Sequence, residues 1–409
     1  MRILLINPRS KAQDALPIPP LGILYLAAYV RDIAEIKVLD LNREWANVFG
    51  WMEWADMVGF TGTTSQFNDA CTLGKLAQNL DCLTVYGGSH ASALPDECLK
   101  DFDIVVVGEG EQALRSIITT GMIRGIIEFA KIDNIDALPF PARELVPILD
   151  YPTRELKRFD GAYTHMMTGR GCSSQCIFCS SPQMWGKPRL MSAERVFAEM
   201  MEVYEKYGIK NIHFQDDTFT LSKNRIYDLC TLIIDSQIEF KWSCQTRPDM
   251  VDGLLLKTMA FGGCVQIEFG VESGDAKVLK NACKGYTKKQ ITKAFRLAHN
   301  AGITTYGFFV VGLPGETIWT WLKSIWFALS LKMDSSVWTV LMPYPGTKVN
   351  GMVKVLDDNY SNWLYKRPIV QVGYLTPRML SAMRWIADKV TNGFLNKGTY
   401  KKEEPKNEN

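Results

Sequence analysis

A chain of 409 residues, 47% apolar and with a formal net charge of +2, can fill two domains or one large barrel with an attachment, and its net charge gives no bulk reason to seek nucleic acid or an anionic membrane. Its longest apolar runs, "LGILYLAAYV" (21–30) and "YGFFVVG" (306–312), are too short to span a bilayer. The opening "MRILLINPRS" meets the polar "RSKAQD" before any apolar core of signal-peptide length, so a cytoplasmic protein with reduced thiols is expected.

Taken in chain order, the first 115 residues alternate short apolar runs with helical stretches, the pattern of a parallel sheet covered by helices on both faces. Five strands are expected at "RILLINP" (2–8), "IKVLDL" (36–41), "MVGFTGTT" (57–64), "CLTVYGGSHAS" (82–92) and "DIVVVGEGE" (103–111). In such open sheets ligands bind beyond the carboxyl ends of the strands, here "NPRS", "TGTTSQ", "GGSHAS" and "GEGE". Thr63, Gly87, Gly88, His90, Gly108 and Glu109 are therefore candidate binding residues. None of these loops is a G-x-G-x-x-G fingerprint, and tight turns alone would also explain the glycines.

Residues 116–160 lose this rhythm, and the proline-punctuated "DALPFPARELVPILDYPTREL" reads as a linker across a surface. A second α/β run follows, with strands expected at 164–169, 209–215, 240–246, 264–270, 305–312 and 336–342. Ser192, Ser222 and Thr287 stand where helix N-caps belong. Six such βα units make a partial barrel, whose chemistry belongs at the carboxyl ends of its strands. The tail "NKGTYKKEEPKNEN" is charge-dense with little to bury, so disorder is expected there.

Directly after the first barrel strand, "RGCSSQCIFCSSP" places Cys172, Cys176 and Cys179 at C-x3-C-x2-C spacing. A structural zinc site would want a fourth Cys or His at short range; Cys230 lies far downstream and His165 precedes the group on a strand. Three thiolates suit a cubane iron–sulfur cluster whose fourth iron stays open, with zinc or a chance grouping as the alternatives. The other strand ends add Asp216 and Asp217, then Gln245 and Arg247, then Glu268, Glu272 and Ser273, and finally Gly312 with Glu316. Each alone reads as a cap or solvated loop residue. At one mouth they would suit a cationic, amino-acid-bearing ligand with a ribose.

These residues resemble the radical S-adenosylmethionine (SAM) enzymes over roughly 161–345: "CSSQCIFC", with Phe178 before the third cysteine, then "DDTF", "GVESG" and "GLPGET". The resemblance implies that the open iron of a [4Fe-4S] cluster chelates SAM, which one electron cleaves to a 5'-deoxyadenosyl radical. It implies contacts from Asp216 and Asp217 to the methionyl ammonium and from Glu272 and Ser273 to the ribose. The adenine-steadying segment is matched by Gly307 to Glu316 with different spacing. "PPLGILYLAAYV", "VYGGSHAS", "VVVGEGE" and "LPFPAR" resemble the cobalamin-binding subclass of that family over nearly all of residues 1–160. Many such domains carry D-x-H-x-x-G, whose histidine ligates cobalt, yet the first loop here, "NPRSKAQDALPIPP", contains none. His90, the only histidine of this domain, reads as a loop hydrogen-bonder rather than a cobalt ligand.

The expected architecture is α/β: a Rossmann-like, flavodoxin-type cobalamin-binding domain (1–128), a linker (129–160), a partial (β/α)6 TIM-type radical SAM barrel (161–345) and a short C-terminal segment (346–409). The expected cofactors are the [4Fe-4S] cluster, SAM and cobalamin; the expected partners are a small-molecule substrate and a flavodoxin- or ferredoxin-type electron donor, with neither nucleic acid nor a membrane expected. The favoured reaction is methyl transfer to an unactivated carbon, with radical cyclisation, oxidation or rearrangement as one alternative and a non-catalytic sensor as another. The seven remaining cysteines form no second cluster, which argues against a methylthiotransferase.

Overall fold

The computed structural model describes residues 1–10, 18–43, 47–151, 159 and 161–399, and the side chains of these up to residue 393. Half of the first loop (11–17), residues 44–46, the end of the linker and the charged tail from residue 400 lie outside the described residues.

The first sheet consists of β1 (Arg2–Asn7), β2 (Glu35–Asp40), β3 (Met57–Thr61), β4 (Leu83–Gly87), β5 (Ile104–Val107) and β6 (Gly125–Glu128), in the order β2-β1-β3-β4-β5-β6. All neighbours are parallel. β6 is a sixth strand at the edge, inside the stretch that the sequence pattern left without rhythm; four residues with one buried position give little periodicity to read. The strands also stop earlier than their apolar runs. β3 ends at Thr61 because Thr63 and Gln66 cap a short helical turn, and β4 ends where Gly88 adopts a φ of 104°. A Cβ at Gly88 would lie 2.9 Å from the Gly62 carbonyl oxygen, so only glycine fits. The residues released from the sheet become the loops above its carboxyl edge.

The second sheet comprises β7 (Tyr163–Met166), β8 (Asn211–Phe214), β9 (Lys241–Thr246), β10 (Cys264–Glu272), β11 (Thr304–Val311) and β12 (Ser335–Val340), all parallel and in sequence order. The helices between them start where expected: Ser192, Ser222 and Thr287 accept hydrogen bonds from the N–H groups of Arg195, Arg225 and Gln290. Alternation along each strand sorts the faces. Phe214, Trp242, Phe269, Phe309 and Trp338 pack under the helices, each contributing on the order of 2–3 kcal/mol by burial. Gln245, Glu268, Tyr306 and Phe308 take the alternate positions, on the concave face.

The chain after β12 does more than trail off. Its segment 357–363 returns to the first domain, where Asn359 accepts a hydrogen bond from Asn68 Nδ2 at 2.8 Å and Tyr360 joins Phe67 and His90. The final helix, Pro377–Thr399, then packs against β12, tied by Thr391 to Ser336 at 2.7 Å.

Candidate active site

The cysteine loop leaves β7 through a short two-residue pairing of Gly169–Arg170 with Arg189–Leu190. Its middle is pinned from both sides: the Ile177 N–H donates to Ala282 O at 3.3 Å, and Val349 N–H donates to Ile177 O at 3.0 Å. Cys172, Cys176 and Cys179 are free and half-buried. Cys172 Sγ lies 3.3 Å from Thr218 Oγ1, and Cys179 Sγ accepts the Ser181 N–H at 3.4 Å. Among the described residues no three His, Cys, Asp or Glu side chains converge on a single metal position. Burial pushes the Cys179 thiol up to about 11.

Around this loop the predicted residues separate into two groups. Asp217 is exposed beside it and accepts a hydrogen bond from Ser181 Oγ. With Cys179, Ser180 and Gln215 it lines a cleft of about 460 Å3, within the range of small-molecule sites. Thr63 and Gly88 line the same cleft from the first domain. Asp216 is not available to a ligand: it is 3% exposed, accepts the Thr168 N–H at 2.6 Å and faces Arg225 at 3.7 Å. Adjacent residues on an extended segment point oppositely, so one of the two acids must turn inward.

Glu272 sits at a φ of 64°, after a register shift in β10, and pairs with Lys284 Nζ at 3.0 Å. Burial would discharge Lys284, but the Glu272 carboxylate raises it, so the ammonium stays charged at 5.6 Å from the Phe178 ring. Arg247 spans the same region, donating to Ser174 in the cysteine loop, to Asp249 and to Lys284 O. Sequence reasoning missed Lys284, whose only signal was an isolated lysine shortly after the glutamate. Ser273 and Glu316 are committed elsewhere. Ser273 is fully buried against Ser324 at 3.1 Å, and Glu316 closes the turn at Gly312 by accepting its N–H. Burial pushes Glu316 up to about 8.

The first domain supplies the second half of the site. A cavity of about 120 Å3 lies between its sheet and the helices Leu21–Val30 and Glu111–Thr120. Its walls are Leu5, Ile23, Val85 and Val106, and its lining includes Gly22, Gly59, Gly87 and Gly108. A Cβ at Gly59 would come within 2.8 Å of Leu5, whereas one at Gly22 or Gly108 would meet nothing within 4 Å. The missing side chains are the slot. It shares Gly22, Ile23, Thr61, Met167 and Trp185 with the cleft beside Cys179, so the two spaces adjoin. At about 120 Å3 this apolar slot is smaller than a whole ligand site, so of a corrin's nucleotide tail it has room for a ring, with the larger cleft adjoining it for the rest. His90 is not part of it: the ring is fully buried, 4.3 Å from Phe67 and 4.8 Å from Tyr360, and burial pushes it down to about 4.

Comparison with known proteins matches a family model to each of the two domains. The model of the radical SAM superfamily matches residues 166–328, and that of the B12 binding domain matches residues 12–118. An uncharacterised methyltransferase of Pyrococcus horikoshii is 31% identical over 94% of this chain and 90% of its own length. The chain belongs to the radical SAM enzymes that carry a B12-binding domain. Cytidylyl-2-hydroxyethylphosphonate methyltransferase of Streptomyces wedmorensis is 26% identical across 91% of this chain and 86% of that one. The fold is shared with the radical SAM methyltransferase TsrM of Kitasatospora setae, solved with cobalamin and a [4Fe-4S] cluster, at a TM-score of 0.68, 20% identity and coverage of 85% and 76%.

In this radical SAM enzyme the two domains are locked by ions at the cavity wall. Glu109, read from the sequence as a cofactor contact, has both oxygens engaged: by Arg170 at 3.2 Å, by Arg189, and by the Ile132 N–H at 3.1 Å. Glu111 also pairs with Arg170. Burial would raise the Glu109 carboxyl, but these donors hold it below its usual range. All four side chains are at most 11% exposed, so removing one partner strands a buried charge at a cost of roughly 3–5 kcal/mol. Arg170→Ala is expected to lower the unfolding midpoint strongly, and Glu109→Ala to do the same. A midpoint shift near zero in denaturant titrations would show the cluster to be structurally idle.

Proposed function

We propose that this enzyme transfers a methyl group to an unactivated carbon of a small-molecule substrate, using a [4Fe-4S] cluster, SAM and cobalamin. The observation that carries this reading is the adjoining of the glycine-lined slot and the cysteine-loop cleft, which would bring the two cofactors to one chamber. When bound, the cluster and SAM supply a radical that abstracts hydrogen, and the corrin supplies the methyl group.

The chain's own groups prepare that chamber. Cys172, Cys176 and Cys179 hold the cluster, and Asp217 receives the ammonium of SAM. Lys284, kept charged by Glu272, sets its ammonium 5.6 Å from the Phe178 ring at the rim of the cysteine loop. Arg247 ties Ser174 to the end of β9, fixing the loop against the barrel. On the concave face Glu268, pushed up to about 7 by burial, accepts from Gln266 at 2.9 Å. Its register neighbour Tyr306 stands beside it. The reading places the enzyme in the cytoplasm, supplied with electrons by a flavodoxin or ferredoxin.

Anaerobic reconstitution with reductant, SAM, hydroxocobalamin and candidate substrates tests it, since SAM is then the only source of the methyl group. The expected products are 5'-deoxyadenosine and S-adenosylhomocysteine together with a methylated substrate. Deoxyadenosine without S-adenosylhomocysteine would replace methylation by another radical reaction, and absence of both would leave only a binding protein.

A further inference from the structure

The helices covering the last barrel strands carry a surface that this chemistry does not use. On the helix Ile318–Ser330, Trp319, Lys323 and Trp326 fall on one face, and the two indoles are 76% and 73% exposed, whereas Trp321 is buried. The helix Pro377–Thr399 packs beside it and exposes Trp385 at 56%, with Ile386 next to it. The Ile318 N–H donates to Tyr374 Oη at 3.1 Å, joining the two elements, and Tyr374 is itself exposed.

Charge is distributed just as unevenly. Between residues 272 and 334 the sequence holds nine lysines and arginines against four acidic residues, Glu272, Asp275, Glu316 and Asp334, in a chain whose net charge is only +2. Glu316 is buried, while Lys277, Lys280, Lys289 and Lys293 are exposed. Contacts make this basic segment continuous with the tryptophan helix: Lys288 Nζ lies 4.5 Å from the Phe327 ring, and Lys323 pairs with Asp275 at 2.8 Å.

Exposed aromatic groups at this density mark a surface that something covers. The tail beyond residue 399 offers only one tyrosine among charged and polar residues, too little to cover three indoles. A second copy related by a two-fold axis would set one lysine rim against another. A nucleic acid would stack its bases in a groove, whereas these indoles stand on the outer faces of helices. Indoles at headgroup depth, rimmed by lysines that meet lipid phosphates, satisfy both features at once.

We propose that this face docks peripherally on an anionic lipid bilayer. Among the described residues no helix is long and apolar enough to cross a membrane, so the attachment is to its surface. The anaerobically reconstituted enzyme should co-sediment with vesicles of phosphatidylglycerol and phosphatidylcholine in equal parts, and not with phosphatidylcholine alone. Raising the salt to 0.5 M should release it. Trp319→Ser with Trp326→Ser should weaken this binding on the order of tenfold or more, since interfacial affinity scales with the apolar area inserted. The same double variant should keep its rate of SAM cleavage without lipid. Three results would overturn the proposal: no sedimentation with anionic vesicles, equal binding by the double variant, or a dimer or RNA complex that needs the same tryptophans while vesicles are ignored.

Discussion

Replacing Cys172, Cys176 or Cys179 by alanine, one at a time, is expected to abolish the [4Fe-4S] cluster. With three protein ligands for four irons there is no spare thiolate, and the other cysteines cannot move in. Cys230, for example, is fully buried in the barrel core, where the space beside its sulfur is filled by Gly262. Each single variant should fold, because the three sulfurs are half-buried in a loop held by backbone bonds at Ile177 rather than by the thiols. Iron and sulfide analysis after anaerobic reconstitution should fall from about four of each per chain to near zero, following the cubane stoichiometry, while Cys230→Ala should retain the full complement. A cluster that survives in any single variant would move the iron site elsewhere, and stoichiometric zinc in the wild-type protein would replace it.

Gly22→Trp is expected to close the slot in the first domain and eliminate cobalamin binding. Gly22 lies within a helix, so a side chain there carries no backbone strain, and a Cβ meets nothing within 4 Å. The indole would instead occupy the space framed by Gly59, Gly87 and Gly108. Losing a cofactor that must share its volume with a side chain should reduce affinity about 100-fold or more, roughly 2.7 kcal/mol. Retention of the corrin chromophore after gel filtration measures it, and unchanged iron content shows that the barrel is intact. The same bound cofactor reports on its lower face. Among the described residues lining the slot and cleft there is no histidine, and the rest of the first loop has none in sequence. The paramagnetic resonance of bound Co(II) should therefore lack nitrogen triplet splitting, and His90→Ala should leave it unaltered.

Much of this was legible because period and punctuation are local. Six parallel strands of the barrel, their capping residues and the three cysteines all announce themselves within a few positions of sequence. The barrel strands Lys241–Thr246 and Ser335–Val340 lie within two residues of their apolar runs. What was illegible depended on partners distant in the chain. "GEGE" looks like a ligand loop until Arg170 and Arg189 arrive from the barrel and take both acids. "DDTF" does not say which aspartate turns inward, because that is decided by Thr168 and Arg225. The aromatic face was hidden for a different reason: a sum of charges over the whole chain erases a cationic block that is balanced by acids elsewhere.

The return of residues 357–363 to the first domain also bears on how the protein is made. Asn68 and Asn359 are 291 positions apart, and Tyr360 packs into the apolar cluster that holds Phe67 and Tyr86. That cluster stays unfinished on the ribosome until almost nine-tenths of the chain has been synthesised, and at roughly 5–20 residues per second the wait after Asn68 lasts on the order of 15–60 seconds. During this interval Phe67 and the surface around His90 remain uncovered, so the nascent first domain is the part of the molecule most in need of a chaperone. Chains released before Tyr360 would carry a nearly complete sheet with an open apolar side, which is the form that aggregates rather than the form that binds cofactor.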